Sequence, residues 1–546
     1  MDRCHYPWRR RLLAVNVILL FAAATFCRAY ALDHVPGLNG DEAWQGVQAQ
    51  RLLRGESITW RTPTDNPINP LTFLPLVALH AWLPPSITLL RLTALVSGLA
   101  ALGVNYWLCR RVFDRQLAAV STILLAVLPA AVAYSRFAWD ASQSVLVTLP
   151  VMYCALGAVR EPPRRLGWLI SAVAALCLAV LVHPTNVFAA PLIAVAAAWC
   201  WREELTALGR RLRRLGQGVR HPIIACAIAA IPLLGLAWAA ARSPQVVAAA
   251  ERIVSPSQAA AFAGRVVDLL SGTTIYQYIP GMQLSATAPA TLIYRAAAWT
   301  FLAAAGYGLW RCLSPRRRTA GRVLLAGLGL SAAAFYVVAG PQSIQPHVER
   351  YGMWMIAPSV LLLAMGVRWW LQRGDMSTRL RPAVALLVPW VMLAGFSWYY
   401  LRPLRLGLGE THLAFRTAAM EPKLAALRAI KSRSSEQTTQ IVAHGWWVYW
   451  PMAYLAGSES RLKVVPRDVP GEKRVELDRD ASWDVGFVGG IVPGVQTGGQ
   501  SHFGLDKNWD SPQPTIQSSV IRDAANRPLL RIVPAMTTVT SPSALN

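Results

Sequence analysis

The stretch NPINPLTFLPLVALHAWLPP, residues 66–85, is apolar enough to enter a bilayer, and its reading decides the fold. If it crosses, every loop after it changes side; if it lies flat, the loops keep the sides their charges favour. Pro67, Pro70 and Pro75 at one end and Pro84 and Pro85 at the other leave a stretch short for a full crossing, and His80 and Trp82 suit headgroup depth. The segment is expected to lie in the outer membrane interface.

Around it, the composition is that of a polytopic membrane protein. Of 546 residues, 54% are hydrophobic and only 15% charged, and apolar runs of about 18 or more residues, the length a bilayer demands, recur along the chain. The first run, 12–32, follows Arg9, Arg10 and Arg11. It is long for a secretory signal and no small-residue cleavage pattern closes it, so it reads as a retained span. Eleven spans are expected, at 12–32, 87–108, 117–134, 141–158, 166–182, 185–201, 222–241, 291–310, 322–339, 351–371 and 382–400. The loops then alternate in charge: 25 arginines lie on one side, in the N-terminus and in loops such as CRRVFDRQ and RCLSPRRRTAGR, against eight on the other. The basic side is therefore cytoplasmic. Counting 66–85 as a span would put every later basic loop on the wrong face. The formal charge of +25 is explained by these loops, and no nucleic-acid partner is implied. The eight cysteines all lie at or before Cys312 without a CxxC pair, which gives neither a disulfide framework nor a zinc site.

An odd number of spans sends the C-terminal part outside. Residues 1–400 read as the membrane module, with a first external loop at 33–86, and residues 401–546 as a small extracytoplasmic α/β domain. All the lysines of the chain are in the latter. Strand-like pieces TQIVAHG, RLKVV, WDVGFVGG and SSVIRDAANRPLLRIVPA accompany a helical EPKLAALRAIK, and the aromatic GWWVYWPMAYLAG reads first as core. The loop 242–290 is long enough to be a lid or a helical hairpin.

This orientation gathers ionisable residues at one depth on the outer face: Asp41 and Glu42 in NGDEAW, Arg136 and Asp140 in YSRFAWD, His183 in HPTN, and Glu349, Arg350 and Tyr351 in HVERY. Ionisable groups at membrane depth are costly and usually face a cavity or a partner. Singly, each has a structural reading. Asp41 fits an N-cap, Glu42 favours a helix N-terminus, Arg136 with Asp140 fits an ion pair, His183 a tight turn, and Tyr351 an interfacial anchor.

Taken together, NGDEAW after the first span, the interfacial helix, YSRFAWD, HPTN and the late ERY resemble the bacterial branch of the glycosyltransferase family 39 type. These are polyprenyl-phosphate-sugar-dependent membrane enzymes of the GT-C fold, a superfamily that includes protein mannosyltransferases and lipid A aminoarabinose transferases. The resemblance covers roughly residues 10–400. It implies an integral inner-membrane enzyme that moves a sugar from a polyprenyl-phosphate donor to an extracytoplasmic glycan, lipid or protein acceptor. It makes Asp41 the catalytic acid residue with Glu42 beside it on the acceptor side, and lines the same cavity with YSRFAWD and ERY. Such chemistry needs a carboxylate to take the acceptor's proton and cations to hold the departing phosphate, roles open to Asp41 and to Arg136 and Arg350. A single in-line displacement would invert the anomeric carbon. The chain departs from the aminoarabinose transferases in having no lysine before Lys423; His183 stands at the comparable turn. No cofactor is certain, and a divalent metal on Asp41, Glu42 and a histidine is left open, because the spacing is no recognisable ligand motif. The other classes are a lipid or glycan transporter or flippase, expected to carry its polar groups near the midplane, and a non-catalytic scaffold.

Overall fold

The structure is a computed structural model that describes residues 7–202, 256–282, 319–372, 380–434, 438–467, 482–488 and 519–534, apart from a few isolated positions inside and beside these ranges. Among the described residues, six helical segments are long and apolar enough to cross a membrane: Arg11–Ala29, Ile87–Val112, Asp140–Arg160, Pro162–Val182, Thr319–Ala339 and Glu349–Gln372. The chain is an integral membrane protein. Of the other expected spans, 222–241 and 291–310 lie outside the described residues, as does much of the loop 242–290, whose described part forms the helices Pro256–Ser271 and Thr273–Tyr278.

The helices are built as their sequences suggest. The first, α1 (Pro7–Ala29), leads into α2 (Gly40–Leu53). Residues 66–85 form α3 (Pro70–Trp82), whose 13 residues reach about 20 Å at 1.5 Å per residue, too short for a hydrocarbon core of about 30 Å. Leu74 and Trp82 on it are exposed, while Phe73 and Leu76 are buried. Then come α4 (Ile87–Val112) and α5 (Arg115–Val127). The expected span 117–134 breaks at Pro129, which starts the short α6 (Pro129–Tyr134). A proline there removes a donor to the preceding turn, and the buried Arg28 supplies the substitute, donating to the Ala126 carbonyl at 2.7 Å and the Leu125 carbonyl at 3.4 Å. Next are α7 (Ser144–Arg160), α8 (Arg165–Val182) and, after a 3₁₀ turn at Pro184–Ala189, α9 (Ala190–Cys200). The last expected span begins as Leu380–Phe396 and runs on through a π-helical turn, Ser397–Leu401. Inside the bundle Asn105 donates to Ser121 and Thr122 and accepts from the Tyr153 hydroxyl, a polar tie among α4, α5 and α7.

The C-terminal part carries a five-stranded sheet of order β2-β1-β3-β5-β4, formed by β1 (Thr439–His444), β2 (Leu462–Arg467), β3 (Ser482–Phe487), β4 (Ser519–Arg522) and β5 (Pro528–Pro534). β1 pairs in parallel with β2 and β3; β5 runs antiparallel to β3 and β4. All four strand-like pieces of the sequence are strands, and EPKLAALRAIK is the helix Pro422–Lys431. GWWVYWPMAYLAG is the helix Trp446–Ala456, which returns β1 to β2 and buries Val448, Trp450, Met452 and Tyr454. Its other neighbour is α2. One apolar core joins Trp44, Val47, Phe73 and Leu76 of the first loop to Ile441, Val448, Trp450 and Tyr454. The first loop and the C-terminal sheet therefore fold around each other, on the same end of the bundle.

Candidate active site

The start of α2 sets the geometry. Asn39, not Asp41, is the N-cap: its side chain accepts from the Glu42 amide at 3.1 Å, and Glu42 returns a carboxylate oxygen to the Asn39 amide at 3.3 Å. This is a capping box, with the acid three residues past the cap. Glu42 is fully buried and takes Arg91 bidentately, at 2.7 and 2.9 Å, as well as the Ala138 amide. Arg91 also gathers the carbonyls of Leu32, Pro36 and Gly37. Glu42, expected to neighbour the acceptor, has both carboxylate oxygens engaged by Arg91 and by the Asn39 and Ala138 amides.

Arg136, expected to hold phosphate, is likewise engaged by the protein itself. Buried, its guanidinium donates to the carbonyls of Cys27, Arg28, Tyr30 and Val35 at 2.6–3.0 Å. It closes the C-terminal end of α1, where carbonyls lack helical partners; both terminal nitrogens are spent on these carbonyls, and the group does not pair with Asp140.

Freed of the cap, Asp41 keeps a partly accessible carboxylate. Its side chain is 37% exposed although protein surrounds it. One oxygen accepts from the Trp446 indole at 3.0 Å, and the other lies 4.0 Å from the Arg350 guanidinium. Arg350 sits 5.3 Å over the Trp139 ring and 5.4 Å over Tyr351. Tyr351 packs on His183 at 5.7 Å, and His183 approaches the Asp140 carboxylate at 3.8 Å while hydrogen-bonding Thr185 at 2.6 Å. Asp41, Arg350, Tyr351, His183 and Asp140 thus form one continuous chain of contacts. Glu349 is buried beside it, accepting from the Tyr134 hydroxyl at 2.9 Å.

Electrostatics follow from this packing. The Asp41 carboxyl titrates above its ordinary range, mainly through burial and secondarily through Asp140 and Glu42, against the opposing pull of Arg350 and the Trp446 N–H. Burial likewise holds the His183 imidazole below its usual range, and Asp140 only partly offsets it. The trio of Asp41, Glu42 and a histidine does not form a metal site, since Arg91 occupies Glu42. Among the described residues no three His, Cys, Asp or Glu side chains gather as ligands.

Known proteins resemble this chain in part of its sequence and in its fold. Residues 74–211 match the family model described as dolichyl-phosphate-mannose-protein mannosyltransferase. The apo structure of ArnT from Cupriavidus metallidurans superposes with a TM-score of 0.50 at 14% identity, covering 95% of this chain and 98% of that one. The apo oligosaccharyltransferase of Archaeoglobus fulgidus superposes at 0.51 and 14% identity, covering 84% of this chain and 64% of that one. No curated protein matches in sequence. The chain has the GT-C fold. The resemblance read from its motifs is borne out.

Within this GT-C fold, sequence reasoning missed Trp139, Trp446 and Asn39. Trp139 lies inside the YSRFAWD motif, and its indole donates to the capping Asn39 at 2.9 Å while its face carries Arg350. Trp446 had no local signal, because the partner it serves is 405 positions away.

Proposed function

We propose that this protein is a glycosyltransferase of the inner membrane that moves a sugar from a polyprenyl-phosphate carrier to an extracytoplasmic acceptor, with inversion. The observation that carries the reading is Asp41, partly exposed and held opposite Arg350 at 4.0 Å. A carboxylate beside a guanidinium provides both halves of the displacement. Asp41 takes the proton of the attacking hydroxyl as the bond to the anomeric carbon forms. Arg350 stabilises the phosphate that leaves with the electron pair of the breaking bond. Its aromatic seat on Trp139 and Tyr351 orients the planar fork that phosphate oxygens favour. Tyr351, His183 and Asp140 continue the chain of contacts from Arg350, and Glu349 is buried beside it, bonded to Tyr134. The family matched by residues 74–211 is described by a dolichyl-phosphate sugar donor, which supports the donor class. The arginine asymmetry of the loops supports an extracytoplasmic site. A transporter reading is less well served: Arg28, Arg91 and Arg136 are buried but engaged with backbone carbonyls or Glu42, so they line no path.

The test is transfer from a polyprenyl-phosphate sugar by purified variants. Since Asn39 caps α2, both Asp41→Asn and Asp41→Ala should fold with wild-type thermal stability, yet lose on the order of 10² to 10⁴ in rate. Wild-type transfer by either would remove Asp41 as the base.

A further inference from the structure

We propose that Trp446, on the C-terminal domain, is a positioning residue for Asp41, so that the soluble domain completes the catalytic carboxylate of the membrane module. This rests on the reading of Asp41 as the base. The indole Nε1 donates to one carboxylate oxygen at 3.0 Å and leaves the other to Arg350. The two oxygens are thereby made unequal and the carboxylate plane is fixed.

The contact is built in, not incidental. At Gly40 a Cβ would stand 2.5 Å from the Trp446 ring, so only glycine lets the indole lie on the first turn of α2. The Trp446–Ala456 helix packs against α2 at further points. Gly46 admits the Tyr454 ring, where a Cβ would stand 2.4 Å away, and the Gln50 amide donates to the Tyr454 carbonyl at 3.2 Å. At its start, Gly445 has φ +74°, the left-handed backbone that turns β1 sharply into the helix and brings Trp446 to Asp41. An edge-to-face contact of Trp446 with Trp450, centroids 5.4 Å apart, keeps the ring in place. The groups that act on Asp41 from the surrounding elements are Arg350, Asp140, Glu42 and Tyr278. Of these and Trp446, only Trp446 comes from the C-terminal domain.

A hydrogen bond to the charged form favours that form. Full-length protein in nanodiscs is treated with a water-soluble carbodiimide across a pH series, and modification of the Asp41 peptide is read by mass spectrometry. Carbodiimides capture the protonated carboxyl, so the half-modification pH reports Asp41 without any turnover. Trp446→Phe should move that midpoint upward by roughly half a unit to one unit, and the acid limb of the transfer rate should move with it at unchanged donor KM. Trp447→Phe, beside it, should move neither. Gly40→Ala, which displaces the indole without removing it, should reproduce the shift if Trp446→Phe folds poorly. An unmoved midpoint in the folded variants overturns the proposal, whether or not Asp41→Asn abolishes transfer. A moved midpoint together with fully active Asp41→Asn keeps the contact and overturns the reading of Asp41 as base.

Discussion

Arg350 and Arg136 show how residue type alone misleads at the scale of single side chains. Both are arginines in motifs of similar look, yet one lies over two aromatic rings beside Asp41 and the other serves four backbone carbonyls. Their substitution should therefore split cleanly. Arg350→Gln removes a charge that favours ionised Asp41, so the Asp41 carboxyl, already above its ordinary range through burial, should rise further. The base form is then lost at a higher pH as the medium is acidified. The acid limb of the transfer rate is expected to move toward neutrality and donor KM to rise, which a pH series of initial rates would check. The acids were legible in NGDEAW, but their division of labour was not. Asn39, in the same quoted stretch, takes the cap and draws Glu42 into a reciprocal box, leaving Asp41 free; sequence spacing fits a cap at either residue.

At the scale of elements, local chemistry was readable wherever a helix or strand states its own ends. The Pro-bounded stretch 66–85 gives a short helix, and the alternating pieces after residue 438 give strands in a sheet. What could not be read was how a broken helix end is repaired from afar. The terminal carbonyls of α1 are closed by Arg136 across more than 100 positions, and the carbonyls exposed at the α5–α6 break by Arg28. Charge-assisted bonds of this kind contribute about 1.5–3 kcal/mol each, and a buried acceptor left unpaired adds a desolvation cost. Arg136→Met is accordingly expected to lower the unfolding temperature and the yield of folded protein, by a free energy of several kcal/mol. Donor KM in the surviving fraction should stay at the wild-type value. A thermal melt in detergent together with a donor titration separates this from loss of a phosphate contact, which would leave the melt unchanged and raise KM.

On the scale of the whole molecule, the composition break near residue 400 is real but is not a boundary between independent cores. Leu38, Trp44, Val47 and Phe73 share one core with Val448, Trp450, Met452 and Tyr454, and the Gly37 amide donates to the Phe415 carbonyl while the Leu38 amide donates to Glu421. Periodicity and charge report which segments are apolar, not which apolar faces meet, so this union left no mark on the sequence. A chain ended after residue 400 should expose the apolar side of α2 and α3 and recover as aggregate or be degraded. A monodisperse peak with the wild-type melting temperature would contradict the shared core. The same union has a consequence during synthesis. Asp41 leaves the ribosome 405 residues ahead of Trp446, which at about 5–20 residues per second is a wait of roughly 20–80 s. Throughout that interval the first loop has its acid but not its lid of aromatic side chains, and the half-built protein must keep that loop from misassociating. In the proposed enzyme the carboxylate thus waits for a partner made 405 positions later, a delay set by the length of chain between them.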